Sequence, residues 1–362
     1  MTSAARVSVV IPTFNRASLM CRAVDSALGQ SHDNMEVVIV DDGSTDDTRA
    51  VVERRYAGEP RVKYIQVENG GVSRARNIGI AAATGDFVGF LDSDDYWLPW
   101  KTELQLKCLE LHPEAGMIWT DMDAINEAGD VIHPRYLRKM YPAHDALVAE
   151  GIPLFTTTRP ITARELGMPG LTAEFALGCG DIFSQMIIGS VVHTSTVLLR
   201  RERLNKVRGF REDLKVSGED YDFHLRTCRE GPVAFADIPT IGYTVGRSDQ
   251  LTATALFVHI AQNSLKTLEP ILAESRHLIQ LPSKRVNRVL AGKHAWVAKE
   301  LLELGRRKEA RKHALESVLR TPAEPRRYAL LGACLTPTPW LTFVVEQRRR
   351  VRRVIARFRG GA

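Results

Sequence analysis

The sequence predicts an α/β fold, a mostly parallel sheet flanked by helices, followed by an all-helical region. Three observations predict it. Short β-branched runs alternate with helical patterns over residues 7–123, the spacing that builds parallel sheets with right-handed crossovers. Several of those runs end abruptly in carboxylates or in turn residues. From about Leu251 the strand signal stops and 3.6-residue periodicity takes over.

Val7-Ser8-Val9-Val10-Ile11-Pro12 reads as a buried strand, far too short to span a membrane. Pro12-Thr13-Phe14-Asn15-Arg16 ends it, and a helical pattern follows through Leu19, Ala23, Ala27 and Leu28. Glu36–Val40 is the second strand, ended by Asp41-Asp42-Gly43-Ser44-Thr45-Asp46, with a helix through Thr48–Val52. Val62–Gln66 is the third. Gly70-Gly71 opens a helix from Val72 to Ala83, and Thr84-Gly85-Asp86 leads into Phe87-Val88-Gly89-Phe90-Leu91. No G-x-G-x-x-G follows the first strand, which argues against a dinucleotide-dependent oxidoreductase. Nor is there the Gly- and Lys/Arg-rich phosphate loop expected of a nucleotidyltransferase.

The run at Phe87–Leu91 ends in Asp92-Ser93-Asp94-Asp95. On an extended chain Asp92 and Asp94 point to the same side. Paired carboxylates at a strand's carboxyl end suit a hard divalent cation that shares its ligands with a phosphate. Such ends are also where α/β sheets bind nucleotides. An EF-hand loop is excluded, because Trp97 stands where the loop needs glycine. Alone, the pair reads equally well as a turn, and a second D-x-D at Asp121-Met122-Asp123 carries no such context.

The context is a set of four blocks. Pro12-Thr13-Phe14-Asn15, Asp41-Asp42-Gly43-Ser44-Thr45-Asp46, Ala75-Arg76-Asn77-Ile78-Gly79 and Phe90-Leu91-Asp92-Ser93-Asp94-Asp95 stand in family order and spacing. Through them residues 6–250 resemble family-two inverting glycosyltransferases with the GT-A fold, Rossmann-like in its nucleotide half. The resemblance implies that Thr13 and Asp42 cradle the nucleotide base and that Asp92 lies near the ribose. It makes Asp94 the ligand of a divalent metal, Mn²⁺ or Mg²⁺, that bridges to the diphosphate, with Asp95 supporting the site. Arg76 matches a position lining the nucleotide pocket; Asp41 reads better as a turn residue. In Ser217-Gly218-Glu219-Asp220, the Glu219-Asp220 pair matches the family's catalytic base, Asp220, although Ser217-x-x-Asp220 also resembles a capping box. Arg247 falls near the position of a basic residue that meets the leaving diphosphate.

The implied reaction moves a sugar from a nucleotide-diphosphate sugar to an acceptor hydroxyl on a glycan or lipid-linked glycan, by one displacement with inversion. UDP- and dTDP-sugars are the favoured donors. The alternative is a non-catalytic nucleotide-sugar-binding scaffold. Asp92, Asp94 and Asp220 together argue against it, since a scaffold needs no base.

The expected domain, 1–250, divides into a nucleotide half (1–123) and an acceptor half (124–250). The stretch Ile125–Gly189, with Pro134, Pro142, Pro153, Pro160 and Pro169, reads as loops and short helices for acceptor recognition. Arg135, Tyr136, Arg138 and Lys139 read as ordinary surface charge. Ser190–Leu199 reads as a strand, with His193 a core or edge histidine. Helices are expected from Leu256 to Leu272, Val286 to Leu304 and Lys308 to Leu319, within a helical region at 251–339. Ala298, Gly305, Ala310, Ala314 and Pro322 resemble the spacings of one tetratricopeptide-like hairpin.

The chain has 362 residues and a formal net charge of +6. Residues 340–362 hold that whole excess, with seven arginines against Glu346. Val344, Val351, Val354, Ile355 and Phe358 fall near one helical face, so this tail reads as a basic amphipathic helix suited to anionic lipid. A nucleic-acid partner is not expected, because no recognition motif or aromatic platform accompanies the charge. The five scattered cysteines lack C-x-x-C pairs, which argues for a reducing cytosol and against a structural zinc site. No apolar run reaches membrane-spanning length, and no signal peptide is read before Val7. The expected location is the cytoplasm, and the tail reads equally as a peripheral contact at the inner membrane face or as a solvated terminal helix.

Overall fold

The computed structural model describes residues 5–246 and 257–336. The chain divides into two units, residues 1–256 with 269–280, and residues 257–268 with 281–362.

The first unit opens with β1 (Val7–Thr13), α1 (Ala17–Leu28) and β2 (Met35–Asp41). Then come α2 (Thr48–Tyr56), β3 (Val62–Gln66), α3 (Val72–Ala82) and β4 (Phe87–Phe90). β1, β2 and β4 are buried at every position, as the unbroken apolar runs require of strands covered on both faces. β2 lies parallel to β1 and β3, and β1 parallel to β4. α3 packs on β1 at Gly79, where a Cβ would sit 2.3 Å from Val10 Cγ1. That close approach explains the glycine in the Ala75–Gly79 block.

β5 (Tyr96–Trp97), α4 (Lys101–Leu111) and β6 (Met117–Ile125) follow. The next stretch was expected to be loops and short helices, and it contains more. β7 (Val131–His133), α5 (Leu137–Met140) and α6 (Ala143–Ala149) precede two further strands, β8 (Thr158–Thr162) and β9 (Glu174–Gly180), then α7 (Phe183–Ile188). The strand expected over Ser190–Leu199 shrinks to β10 (Leu198–Arg200), because Thr194–Thr196 coil into a 3₁₀ turn. α8 (Arg201–Val207), α9 (Glu219–Arg229) and β11 (Val233–Thr244) complete the sheet domain.

The strand order is β3-β2-β1-β4-β10-β6-β11-β9-β8, with β5 on β11 and β7 on β6. The sheet is parallel from β3 to β4. Beyond that it is mixed: β10 runs antiparallel to both β4 and β6, β6 and β11 are parallel, and β9 and β8 close the edge antiparallel. So the expected parallel sheet holds for its N-terminal half. Behind β4, Phe90 meets Phe210 and Phe223 edge-on at 5.1 and 5.7 Å, and those two rings stack at 4.1 Å.

α10 (Phe257–Ser275) is shared between the two units. In the second unit α11 (Ser283–Glu303) and α12 (Arg307–Arg320) follow one another and pack together. Ala291, Ala298, Ala310 and Ala314 are fully buried. Ser317 Oγ donates to the Ala291 carbonyl at 2.7 Å. A helix not foreseen from the sequence, α13 (Pro325–Leu335), follows with its proline in the first turn. Arg247 and the basic tail at 340–362 lie outside the described residues.

Candidate active site

The carboxyl ends of β1, β2 and β4 share one edge of the sheet. Thr13 registers with Asp41, the Asp42 N–H donates to the Thr13 carbonyl at 2.9 Å, and the Leu91 N–H donates to Val10. Thr13 is buried and its Oγ1 has no hydrogen-bond partner, a polar atom suited to meeting a ligand. Asp41 is a turn residue, accepting from the Ser44 N–H at 2.8 Å and the Tyr64 hydroxyl at 2.5 Å. Asp42 accepts from the N–H groups of Gly70 and Gly71, each at 2.8 Å, so its carboxylate shapes the turn that opens α3.

The first two blocks interlock. Asn15 sits at φ +52, a left-handed conformation that side chains other than glycine rarely adopt. It is held there by the Ser44 hydroxyl, which accepts its N–H at 2.9 Å, and by the Thr45 N–H, which donates to Asn15 Oδ1 at 2.7 Å. The next residue is Arg16, and its Nη1 reaches Asp94 Oδ2 at 2.6 Å. Arg22 braces the same turn from α1, donating to the Asp94 carbonyl and to Thr244 Oγ1, each at 2.7 Å. Burial and the neighbouring Asp95 push the Asp94 carboxyl up to about 6, with Arg16 opposing the rise and Asp92 adding to it.

Asp95 is buried. It accepts from Ser195 Oγ at 2.8 Å and from the Thr244 N–H at 3.1 Å, tying the acidic turn to the 3₁₀ segment and to β11. Ser195 Oγ also accepts from the Asp92 N–H at 3.2 Å. His193, two residues earlier, is buried, its Nε2 without a hydrogen-bond partner among the described residues and 3.8 Å from Asp95 Oδ2. Its Nδ1 is 3.1 Å from the Tyr141 hydroxyl, and its ring meets Tyr243 edge-on at 4.9 Å.

These contacts test whether the residues fit a divalent cation. Asp92, Asp95 and His193 can each present one ligand atom within 4.8 Å of the others, a hard oxygen pair with one imidazole. Asp94 lies beside them, its carboxylate engaged by Arg16. The set fits manganese or magnesium chemistry.

Arg76 joins this turn to the candidate base. Its guanidinium is 4% exposed, far from a solvated helix-face arginine, and lies over the Phe210 ring at 5.0 Å. Nη2 donates to Asp92 Oδ1 at 2.7 Å and Nη1 to Glu219 Oε1 at 2.8 Å. Glu219 opens α9 from a buried position, and Asp220 follows, half-buried, accepting from the Tyr221 N–H at 2.7 Å. Burial, then the Asp220 charge, raises the Glu219 carboxyl, with Arg76 opposing. No side-chain capping bond is made at this N-terminus. Gly218, not Ser217, is the cap residue at φ +97, two residues after Val216 at φ +81, so a left-handed turn presents the Glu219-Asp220 pair.

The structure thus gathers Asp92, Asp94, Asp95, Arg76 and Glu219 into one bonded cluster. Asp220 stands next to it in sequence, and Thr13 and Asp42 sit at the same strand ends. Sequence reasoning passed over Arg16, Arg22 and Ser195, and weighted His193 toward the core. The one signal available for Arg16 was its place directly after the Pro12–Asn15 block. Arg135 and Arg138, expected as surface charge, both pair with Asp237, at 2.6 and 2.8 Å.

The profile "Glycosyl transferase family 2" matches residues 8–183. A chondroitin synthase of Pasteurella multocida is 39% identical over 130 residues, 36% of this chain and 14% of that protein. A chondroitin synthase of Escherichia coli is 34% identical over 153 residues, 41% of this chain and 22% of that protein. The matches therefore span less than a quarter of either relative. Among solved structures, S. aureus TarS 1–349 in complex with UDP-GlcNAc aligns at TM-score 0.59 and 20% identity, over 91% of this chain and 84% of that one. The mannosyltransferase PcManGT of Pyrobaculum calidifontis, in complex with GDP-Man and Mn²⁺, aligns at 0.52 and 19% identity, over 100% and 89%. At such identities these likenesses speak for the fold. The matched profile, with the four sequence blocks, shows that residues 8–183 carry a glycosyl transferase family 2 domain, and the solved structures show its GT-A fold.

Proposed function

We propose that the protein is an inverting, metal-dependent glycosyltransferase that moves a sugar from a nucleotide-diphosphate sugar to an acceptor hydroxyl in glycan or polysaccharide synthesis. The observation that carries the reading is the bonded chain Asp92–Arg76–Glu219, which ties a cation-competent strand end to the helix start that carries the half-buried Asp220.

In this reading Thr13 and Asp42 hold the base, Asp92 the ribose side and Asp94 the diphosphate side. Asp95 and Arg76 fix the acidic turn and Glu219 orients its neighbour, while Arg247, outside the described residues, keeps only the role that its family position implies, meeting the leaving diphosphate. Asp92, Asp94, Asp95 and His193 are the residues that would hold the cation, whose bound charge would neutralise the departing diphosphate. Asp220 takes the proton from the acceptor hydroxyl as its oxygen attacks the anomeric carbon. The bond to the nucleoside diphosphate breaks on the opposite face. One displacement inverts the configuration.

UDP- and dTDP-sugars are the favoured donors, and the UDP-GlcNAc complex of TarS supports the first. The GDP-Man complex of PcManGT makes GDP a necessary comparison. The chondroitin and hyaluronan synthases among the relatives support a polysaccharide acceptor. No described helix is long and apolar enough to cross a membrane. The arginine-rich sequence at 340–362 supports a peripheral contact at the cytoplasmic membrane face.

Thermal unfolding with UDP, dTDP, GDP and CDP, each with and without Mn²⁺, tests the reading. A nucleotide at about 100 times its Kd adds about 2.7 kcal/mol of stability. The expected result is a Mn²⁺-dependent shift with one nucleotide, lost in Asp94→Ala. No shift with any of the four overturns the donor site.

A further inference from the structure

We propose that His112, Glu114 and Cys179 form a second metal site, of zinc class, distinct from the carboxylate cluster at the strand ends. His112 follows the last turn of α4, Glu114 stands in the turn that leads to β6, and Cys179 lies on β9, registered with Ala234 of β11. Glu114 Oε1 already gathers the other two: the Cys179 thiol donates to it at 3.3 Å, and His112 Nδ1 is 3.1 Å away. The three ligand atoms all lie within 4.8 Å of one another.

These separations suit a tetrahedral ion. Bonds of about 2.0 Å to nitrogen and oxygen and about 2.3 Å to sulfur require ligand atoms roughly 3.3–3.7 Å apart. Two edges of the triangle are close to that, and the third needs only side-chain adjustment. The donor chemistry also discriminates. One imidazole, one carboxylate and above all one thiolate suit zinc or cobalt, whereas the harder magnesium and manganese bind thiolate poorly. His112 and Cys179 are partly exposed and Glu114 is exposed, so an ion has a path in and water can take the fourth position.

No spacing motif announces this triad. His112 and Glu114 are two residues apart, but Cys179 reaches them only because β9 enters the sheet. Metal there would tie the turn after α4 to β9, the thiol releasing its proton to solvent on binding.

The test is Co²⁺ titration of the full chain, stripped with chelator and kept reduced, followed by near-ultraviolet absorption. The expected result is a thiolate-to-cobalt charge-transfer band that saturates at one equivalent. Equimolar Zn²⁺ should bleach it, and Mg²⁺ and Mn²⁺ should not. Cys21, Cys108, Cys228 and Cys334 are buried, so the band reports Cys179. Cys179→Ser should abolish it. His112→Ala, with its circular dichroism unchanged, should weaken Co²⁺ binding by about tenfold or more. A wild-type titration without the band, or a band that survives in Cys179→Ser, overturns the site. Neither outcome depends on whether the protein transfers sugar.

Discussion

Arg76 Nη1 lies 2.8 Å from Glu219 Oε1, so α3 of the nucleotide half is locked to the first turn of α9, 143 residues away in sequence. The other Nη holds Asp92, and Phe210 lies under the guanidinium. One buried cation therefore serves two carboxylates that would otherwise repel each other. Arg76→Ala leaves both without it and should cost about 3–5 kcal/mol. Urea unfolding against the wild type measures that loss; a cost under about 1 kcal/mol would mean that the network is not held by this residue.

Asp220 lies next to Glu219 but outside that lock. Asp220→Asn should lower kcat on the order of 10²–10⁴ while nucleotide affinity stays unchanged, because under the proposed mechanism the residue would meet the acceptor and not the donor. Turnover and nucleotide binding, measured on the same preparation, separate the two. Near-normal turnover would move the base elsewhere.

Arg16 restrains the rise of the Asp94 carboxyl that burial and Asp95 cause. The wild-type carboxyl is up at about 6 through burial and Asp95, with Arg16 holding it from rising further. Arg16→Ala removes that restraint, so the carboxyl should hold its proton to higher pH and compete better with a cation. Mn²⁺ titrations followed by electron paramagnetic resonance at pH 6 and pH 8 should show a steeper loss of affinity at pH 6 in the variant. Equal pH dependence in both proteins would show that the ion pair does not control the site.

A second acidic knot lies at the opposite end of the parallel strands. Glu36, on β2, accepts from the Ser8 hydroxyl and from the Thr84 N–H at 2.6 Å, and pairs with Arg6 at 3.0 Å. Burial opposes its ionisation, but the bonds from Ser8 and Thr84 and the charge of Arg6 prevail, so its carboxyl stays below the usual range. A depressed folded-state pKa contributes stability above the unfolded value and loses it as pH falls through the folded one. Glu36→Gln should thus destabilise by about 1–3 kcal/mol at pH 7. The gap to wild type should narrow as pH falls through the ordinary carboxylate range and close only below the lowered folded-state pKa, where both states of the wild type are protonated. Guanidinium unfolding across pH 3–7 checks it, and a gap that stays constant would rule out the titration.

The parallel half was legible because β1, β2 and β4 are buried on both faces and so read as unbroken apolar runs. The other half hid for local reasons. β8 carries Pro160 and survives because it is an edge strand, where a missing N–H costs no ladder bond. β9 breaks its own signal with Gly178 and Gly180. β11 is interrupted at Asp237 and Pro239, and its pairing with β6 shifts register on both sides of Pro239. The same division holds for the site. Asp92, Asp94 and Asp95 announce themselves by spacing. Ser195 and His193 do not, because their position beside the acids depends on a 3₁₀ turn that nothing in Ser190–Leu199 marks. Arg76 was legible as a position but not as a lock, since its second partner lies in another block.

The insertion of β10 between β4 and β6 also sets an order of assembly. β4 can pair with β1 as soon as the chain has been made to residue 90, but its other edge waits for residues 198–200. Until then the acidic turn lacks Ser195 and His193, and the nucleotide half is an open sheet with an unpaired strand at its rim. Closing that gap brings together segments about a hundred residues apart, a non-local step that slows folding. The nascent chain is therefore most exposed to edge-to-edge association in the interval between making β4 and making β10, and the Asp92–Asp95–His193 cluster is among the last features of the sheet domain to exist.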